Sequence, residues 1–166
     1  MIQIGVRYGK SVEKRFFIVQ GNGLMLTPEI CEAILRDHYR KPRHTGVCEG
    51  SLVRTADNPA CGDMVRVSLK KEVTGEGIEC VRFEGAGCAA SQAGASLILG
   101  LVHGLPALEA LRRIEDFCTV MKRGDADPAA HFAEFGEAAA LLVFATIPAR
   151  LTCATLAARL LAEMLR

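Results

Sequence analysis

The chain has 166 residues, half of them hydrophobic, with 20 basic and 19 acidic residues and a formal net charge of +1. This length suits one domain with a substantial core, and the charge balance argues against nucleic acid or an acidic membrane surface as the main partner. Only 5% of the residues are aromatic and none is Trp, so the core must be aliphatic and rich in alanine.

Residues 1–24 differ in pattern from the rest. Residues 1–6 and 16–19 read as strand-like runs split by Tyr8-Gly9-Lys10-Ser11, and Gly21-Asn22-Gly23 closes the segment. The expectation is an N-terminal extension over 1–24, either an added hairpin or a loosely attached segment with Met25 as an alternative start, followed by a principal domain over 25–166. No basic region followed by a long apolar run, the mark of a secretory signal, is visible.

Thr27-Pro28-Glu29 marks a helix start: a hydroxyl N-cap, proline at the first helical position and an acid at the positive end of the dipole. Ile30, Ile34 and Leu35 supply the helical stripe. The helix should run to about Tyr39, because Lys41 precedes Pro42 and is pushed out of helical geometry. Gly46 and Gly50 bracket a loop. Leu52-Val53-Arg54 reads as a short strand. Val65, Val67 and Leu69 alternate with polar residues as a half-buried strand does, and Val81 and Phe83 repeat the pattern after a turn containing Gly75 and Gly77.

Beyond Gly87 the pattern turns helical. One helix is expected over 89–102, ended by His103-Gly104, and a second over 106–121 with Leu108, Leu111, Ile114 and Phe117 in register. A third, short helix should open at Asp127-Pro128, and a last one should span 152–165. The apolar run 138–149 is too short to cross a bilayer and reads as a buried helix plus a turn. Strands first and helices after predict an α+β fold, a small antiparallel three-stranded sheet packed against about five helices.

The seven cysteines cannot all pair. With no secretory signal, they favour a reducing cytoplasm, where clustered thiols serve metal binding or catalysis more often than disulfides. Cys61 and Asp63 flank Gly62, whose conformational freedom lets a tight turn aim both side chains at one point. Taken alone, an Asp after Cys-Gly is more often an ordinary turn acid. Cys88 and Cys153 each stand at the predicted start of a helix, where partial positive charge favours thiolate over thiol. Arg150 adds a cation close to Cys153. Three thiols with one carboxylate are donors for zinc or an iron–sulfur cluster. Cys31, Cys80 and Cys118 fall on helix or strand patterns and read as small buried hydrophobes, whereas Cys48 lies in a loop. His38, His44, His103 and His131 share no motif with a cysteine and are not expected to be ligands. The loop Gly85-Ala86-Gly87 lacks the Lys and Ser/Thr of a phosphate-binding loop.

Four stretches together resemble the family of iron–sulfur cluster assembly scaffolds that comprises IscU, SufU and the NifU N-terminal domain. They are Asp37-His38-Tyr39-Arg40-Lys41-Pro42-Arg43, Asn58-Pro59-Ala60-Cys61-Gly62-Asp63, Phe83 to Ser91 around Cys88, and Arg150-Leu151-Thr152-Cys153-Ala154-Thr155-Leu156. The resemblance runs from about Leu26 onward and leaves residues 1–24 without a counterpart. It implies that Cys61, Asp63, Cys88 and Cys153 meet near the surface. It is closest to the SufU type, because the spacing from Cys88 to Cys153 leaves room for an insertion within 112–137. IscU-type members carry a histidine before the third cysteine and SufU-type members usually a lysine; here the residue is Thr152. The chaperone-docking Leu-Pro-Pro-Val-Lys of IscU-type members is represented only by Thr146-Ile147-Pro148-Ala149-Arg150, so that docking is not carried over.

Three functions are compatible with this reading. The first is a sulfur relay in which a partner cysteine desulfurase passes persulfide sulfur to Cys61, which would make the protein a zinc-dependent sulfurtransferase feeding a cluster-assembly complex. The second is a scaffold that holds a transient [2Fe-2S] cluster and passes it to apoprotein acceptors. The third is a structural zinc-binding interaction module. Zinc or the cluster is the expected cofactor, the cytoplasm the expected location, and neither nucleic acid nor membrane an expected partner.

Overall fold

The computed structural model describes residues 26–73 and 76–166. The extension expected over 1–24, the alternative start at Met25 and Gly75 of the predicted turn lie outside the described residues. Helix α1 spans Pro28–Arg40, with Thr27 as N-cap accepting from the Ile30 N–H at 3.4 Å. It ends at Arg40, within one residue of the expected end and two before Pro42, as Lys41 N–H closes on Asp37 O at 2.8 Å. Cys31, Ile34 and His38 form its buried face.

Strands β1 (Leu52–Asn58), β2 (Asp63–Lys71) and β3 (Ile78–Ala86) form an antiparallel sheet in the order β1-β2-β3. Val65, Val67, Leu69, Val81 and Phe83 alternate onto one face and are buried in the core. Helix α2 (Ala89–Val102) runs through the middle of the molecule and packs against α1, the sheet and the C-terminal helices. Nearly every residue from Ala90 to Leu99 is buried, which suits its run of alanine, serine and leucine.

Helix α3 (Ala107–Lys122) buries Ala110, Ile114, Phe117 and Met121. Ile114 and Phe117 are core residues as predicted, but Leu108 is 63% exposed. The seam steps by three and four residues, and Leu108 falls two before Ala110, on the far side of the helix. The short helix expected at Asp127-Pro128 is displaced. Asp127 Oδ1 accepts from the N–H groups of Ala129 and Ala130 at 3.0 and 3.2 Å, giving a capped turn. Helix α4 begins at Phe132 and ends at Phe135. The apolar run that follows is a 3-10 helix, Gly136–Phe144, with Ala138 to Leu142 buried.

The last helix predicted over 152–165 is two helices, α5 (Pro148–Ala154) and α6 (Leu156–Leu165). Pro148, at the first turn, starts the helix earlier than expected. Thr155 breaks it at φ −98° and ψ 1°, its hydroxyl donating back to Leu151 O at 2.8 Å. Cys153 therefore lies in the last turn of α5 and not at a helix start. The helix-dipole argument for its thiolate does not apply there, because that end of a helix carries partial negative charge.

Gly94 lets α2 and α5 meet. A Cβ at this position would stand 2.7 Å from Ala154 O, a backbone atom that cannot swing aside. Gly94→Ala should lower stability by about 1–3 kcal/mol through overpacking, measured by urea unfolding, even though alanine favours helix.

Candidate metal centre

Three chain segments bring the predicted residues to one end of the sheet, and Asn58 in the first of them adds a further contact. The first is the turn from β1 to β2. Asn58 Oδ1 accepts from the Ala60 N–H at 3.3 Å, and Asn58 O accepts from Cys61 and Gly62 N–H at 3.1 and 2.9 Å. Gly62 has φ 68°, a left-handed turn conformation that glycine adopts without strain. The turn leaves Cys61 exposed while the next residue but one, Asp63, is buried at the first position of β2.

The second segment is the passage from β3 into α2. Cys88 is the N-cap of α2, as the sequence predicts. Its N–H donates to Asp63 Oδ1 at 2.8 Å and its thiol to Asp63 Oδ2 at 3.3 Å. Gly87 makes this approach possible, since a Cβ there would lie 2.6 Å from Asp63 Oδ1. The third segment is α5, which places Cys153 with its sulfur 3.3 Å from that of Cys61. The further contact is that of Asn58. It is 5% exposed, and its Nδ2 donates to Cys153 Sγ at 3.3 Å. The bond from Ala60 N–H holds the carbonyl end of the amide, so the donor end faces the sulfur.

Ligand atoms of Cys61, Asp63 and Cys153 lie within 4.8 Å of one another. Cys88 stands at the edge of this group, joined to it through Asp63. The donor set is three sulfurs and one oxygen, the chemistry of a zinc site. The glycine-lined gap that admits the Asp63 carboxylate also fits such a centre. The described residues thus fit a zinc ion, with Cys61, Asp63, Cys88 and Cys153 available to hold it.

The three thiols differ in setting. Cys61 is exposed, Cys88 half-buried and Cys153 buried. Burial pushes the Cys153 thiol well up from the ordinary cysteine value, reinforced by Asp63, Cys61 and Cys88 around it. Burial also acts to raise the Asp63 carboxyl. Hydrogen bonds from Cys153 and Cys88 and the charge of Arg150 outweigh it, so the net shift is downward and Asp63 stays ionised. Arg150 is exposed on α5 and acts on the site through its charge.

The remaining candidates lie elsewhere. His38 is a buried core histidine bonded to Ser96 Oγ at 2.8 Å and Glu137 Oε2 at 3.2 Å. His131 pairs with Asp125 at 2.8 Å beyond α3. Cys31 is a buried free thiol and Cys118 a half-buried one, in line with the sequence reading. Cys80 is not a free hydrophobe, because it forms a disulfide with Cys48. Thirty-two residues separate the pair, and only the folding of the loop after α1 onto β3 joins them. Asn58 and Gly87 escaped the sequence reading as parts of the site. Asn58 stands in the same motif as Cys61 but nothing local marks it as the partner of Cys153, and nothing local marks Gly87 as the neighbour of Asp63.

The NifU-like N terminal domain model matches residues 31–153. The zinc-dependent sulfurtransferase SufU of Bacillus subtilis is 35% identical over 74% of this chain and 80% of its own length. The iron–sulfur cluster assembly scaffold protein IscU of Streptococcus pyogenes serotype M1 is 34% identical over 81% of each chain. Among solved structures, one described as a SUF-system iron–sulfur cluster assembly scaffold from Fervidobacterium islandicum AW-1 superposes with a TM-score of 0.70 and 25% identity, covering 80% of this chain and 94% of that one.

Removing the Asn58 side chain takes a donor from Cys153 and an acceptor from the turn. Asn58→Ala should keep the fold and lower zinc affinity by about 10–100-fold, as loss of a group that orients ligands does elsewhere. Competition against a chromophoric chelator measures this, and unchanged affinity would show that Asn58 serves the turn alone.

Proposed function

The chain belongs to the NifU-like N-terminal domain family of iron–sulfur cluster assembly proteins, and on that premise we propose that it accepts sulfur from a cysteine desulfurase at Cys61 and relays it to cluster assembly. The observation that carries this reading is the exposure of Cys61 beside a buried partner thiol and a buried carboxylate. A loop thiol on a tight turn can reach a partner's cysteine, whereas Cys153 is enclosed by α2, α5 and the turn.

The step is a thiolate exchange. The Cys61 sulfur attacks the outer sulfur of the donor persulfide and forms a new S–S bond. The donor's S–S bond breaks, its cysteine leaves as thiolate, and Cys61 carries the persulfide with no net oxidation or reduction. Bound zinc would supply the charge that keeps the cluster of sulfurs in thiolate form. Arg150 offsets part of the negative charge gathered at the site. Asp63, locked by Cys88 N–H, keeps the Cys61 turn against α2.

A second reading is supported by the comparable similarity to a scaffold of the IscU type. Here a nascent [2Fe-2S] cluster is the cargo of the same four side chains, which pass it to apoproteins. Protein purified without oxygen separates the two: colourless protein with one zinc per chain supports the relay, and brown protein with iron and sulfide supports the scaffold. The third reading, a structural zinc module, finds little support in the position of the site. The core of α2, α3, α6 and the sheet is continuous and aliphatic without it.

Two outcomes follow. Cys61→Ala should lose persulfide acceptance from a cysteine desulfurase, followed by mass spectrometry of the trapped persulfide, while circular dichroism stays unchanged. Normal acceptance in that variant, with loss in Cys88→Ala instead, would move the acceptor to Cys88. Chelation of zinc should leave the helical signal intact and abolish sulfur acceptance. Unfolding on chelation would instead support the structural module.

A further inference from the structure

The free edge of β3 carries a second polar concavity that sulfur chemistry at Cys61 does not use. It is a cavity of about 390 Å³, within the range of about 300–1,000 Å³ typical of small-ligand sites. Its walls come from the loop after α1, which supplies His44 and Thr45, from residues 79–82 of β3, and from His103 at the end of α2.

Among the described residues, one stretch of the backbone beside it lacks a partner. Phe83 N–H donates to His44 O at 2.8 Å, and Gly46 N–H donates to Phe83 O at 2.9 Å. Val67 opposes Phe83 and Leu69 opposes Val81. In an antiparallel pair, residues two apart point their polar groups the same way, so Val81 N–H and C=O face away from β2, as those of Phe83 do. No described residue takes them. Further along, Ile78 N–H donates to Leu105 O at 3.3 Å. The edge is thus paired on both sides of Val81, which is 1% exposed and has no backbone partner on this side among the described residues.

Arg82 brings a positive charge to this opening. The Arg82 guanidinium donates from Nη1 to Thr45 O at 3.1 Å, and no described carboxylate pairs with it. The rings of His44 and His103 stand 4.8 Å apart. Glu79, the carboxylate in the lining, is engaged by Lys70 at 2.7 Å. Burial, and then the charges of His103, Arg82 and His38, press the His44 pKa down to about 4. His44 is therefore neutral near pH 7, and a cation would be repelled by Arg82, whereas an anion would be attracted by it and could accept from the ring N–H groups.

The walls are held in place. His44 has φ 59°, a left-handed conformation uncommon for a residue with a side chain, though histidine adopts it more readily than most. The Cys48–Cys80 disulfide joins the loop that carries His44 to the strand that carries Arg82.

We infer that the cavity between His44, Val81, Arg82 and His103 binds a small oxyanion, a phosphate or a carboxylate, through the Arg82 guanidinium and the imidazole N–H groups. Arginine suits both anions because its paired donors match two oxygens at once. An added peptide strand does not fit, because the edge offers the pairing groups of one residue only.

Titration of the full chain with inorganic phosphate and, separately, with succinate tests this by calorimetry and NMR. At least one should bind saturably at one site, shifting the His44 and His103 ring signals. Binding by phosphate alone assigns a phosphate compound, and binding by succinate alone a carboxylate. Arg82→Gln should weaken binding about tenfold or more. Arg66→Gln, whose guanidinium pairs with Glu84 on the same sheet, should leave it unchanged. His103→Gln, at an exposed helix end, gives a second readout if Arg82→Gln fails to fold. Persulfide acceptance at Cys61 should be normal in both cavity variants, which separates this site from the metal centre. Lack of saturation by either anion, equal affinity in Arg82→Gln, or shifts confined to other residues would overturn the proposal. Binding of an acidic peptide alone would overturn it in favour of strand addition.

Discussion

The carboxylate of Asp63 is what the arrangement turns on. It is the buried acid among the described residues, 2% exposed, and a buried charge is costly unless it is paired and hydrogen-bonded. Its compensation comes from three directions: the Cys88 N–H at the start of α2, the thiols of Cys88 and Cys153, and the charge of Arg150 on α5. Satisfying one side chain therefore fixes the start of α2, the end of α5 and the first turn of the sheet against one another. Two glycines make the closeness possible. Gly87 admits the carboxylate to the backbone before α2, and Gly94 admits α5 to the flank of α2.

This geometry gives three chemically similar thiols different settings. Cys153 is enclosed and takes an N–H from Asn58. Cys88 is tied to Asp63 at a helix N-cap. Cys61 rides on an exposed turn that glycine allows to bend sharply. A buried thiol, a half-buried one and an exposed one would suit the proposed relay, in which the exposed sulfur meets a partner. The break at Thr155 contributes to this difference, because it puts Cys153 at the negative end of α5 and leaves its environment to Asn58, Asp63 and burial.

Another stretch of the same strand carries the proposed anion site. β3 delivers its C-terminal end to Cys88, while its middle, from Glu79 to Arg82, lines the cavity closed by His44 and His103. The loop after α1 is held to β3 by two backbone bonds at Phe83 and by the Cys48–Cys80 disulfide. Its position is a property of the folded edge and not of any local signal. No pattern in the chain links Cys48 to Cys80, and the reading of Cys80 as a plain strand residue failed for that reason.

Local patterns in the chain determined the start and stop of α1, the three strands, the span of α2 and the turn that presents Cys61. Capping residues, prolines and period-two alternation act over a few neighbours and are legible without the fold. Cys61, Asp63 and Cys153, which the structure brings together, stood in motifs that the sequence and the resemblance singled out, as did Cys88, which joins them through Asp63. Tertiary structure alone decided which side chains converge. It exposed Leu108, which local periodicity had placed in the core, and it broke the last helix at Thr155, whose hydroxyl bond to Leu151 competes with helical continuation. It also placed Asn58 against a sulfur 95 residues away and opened Gly87 to a carboxylate from another strand. Contacts between distant segments depend on how whole elements pack, and no window of neighbouring residues contains that information.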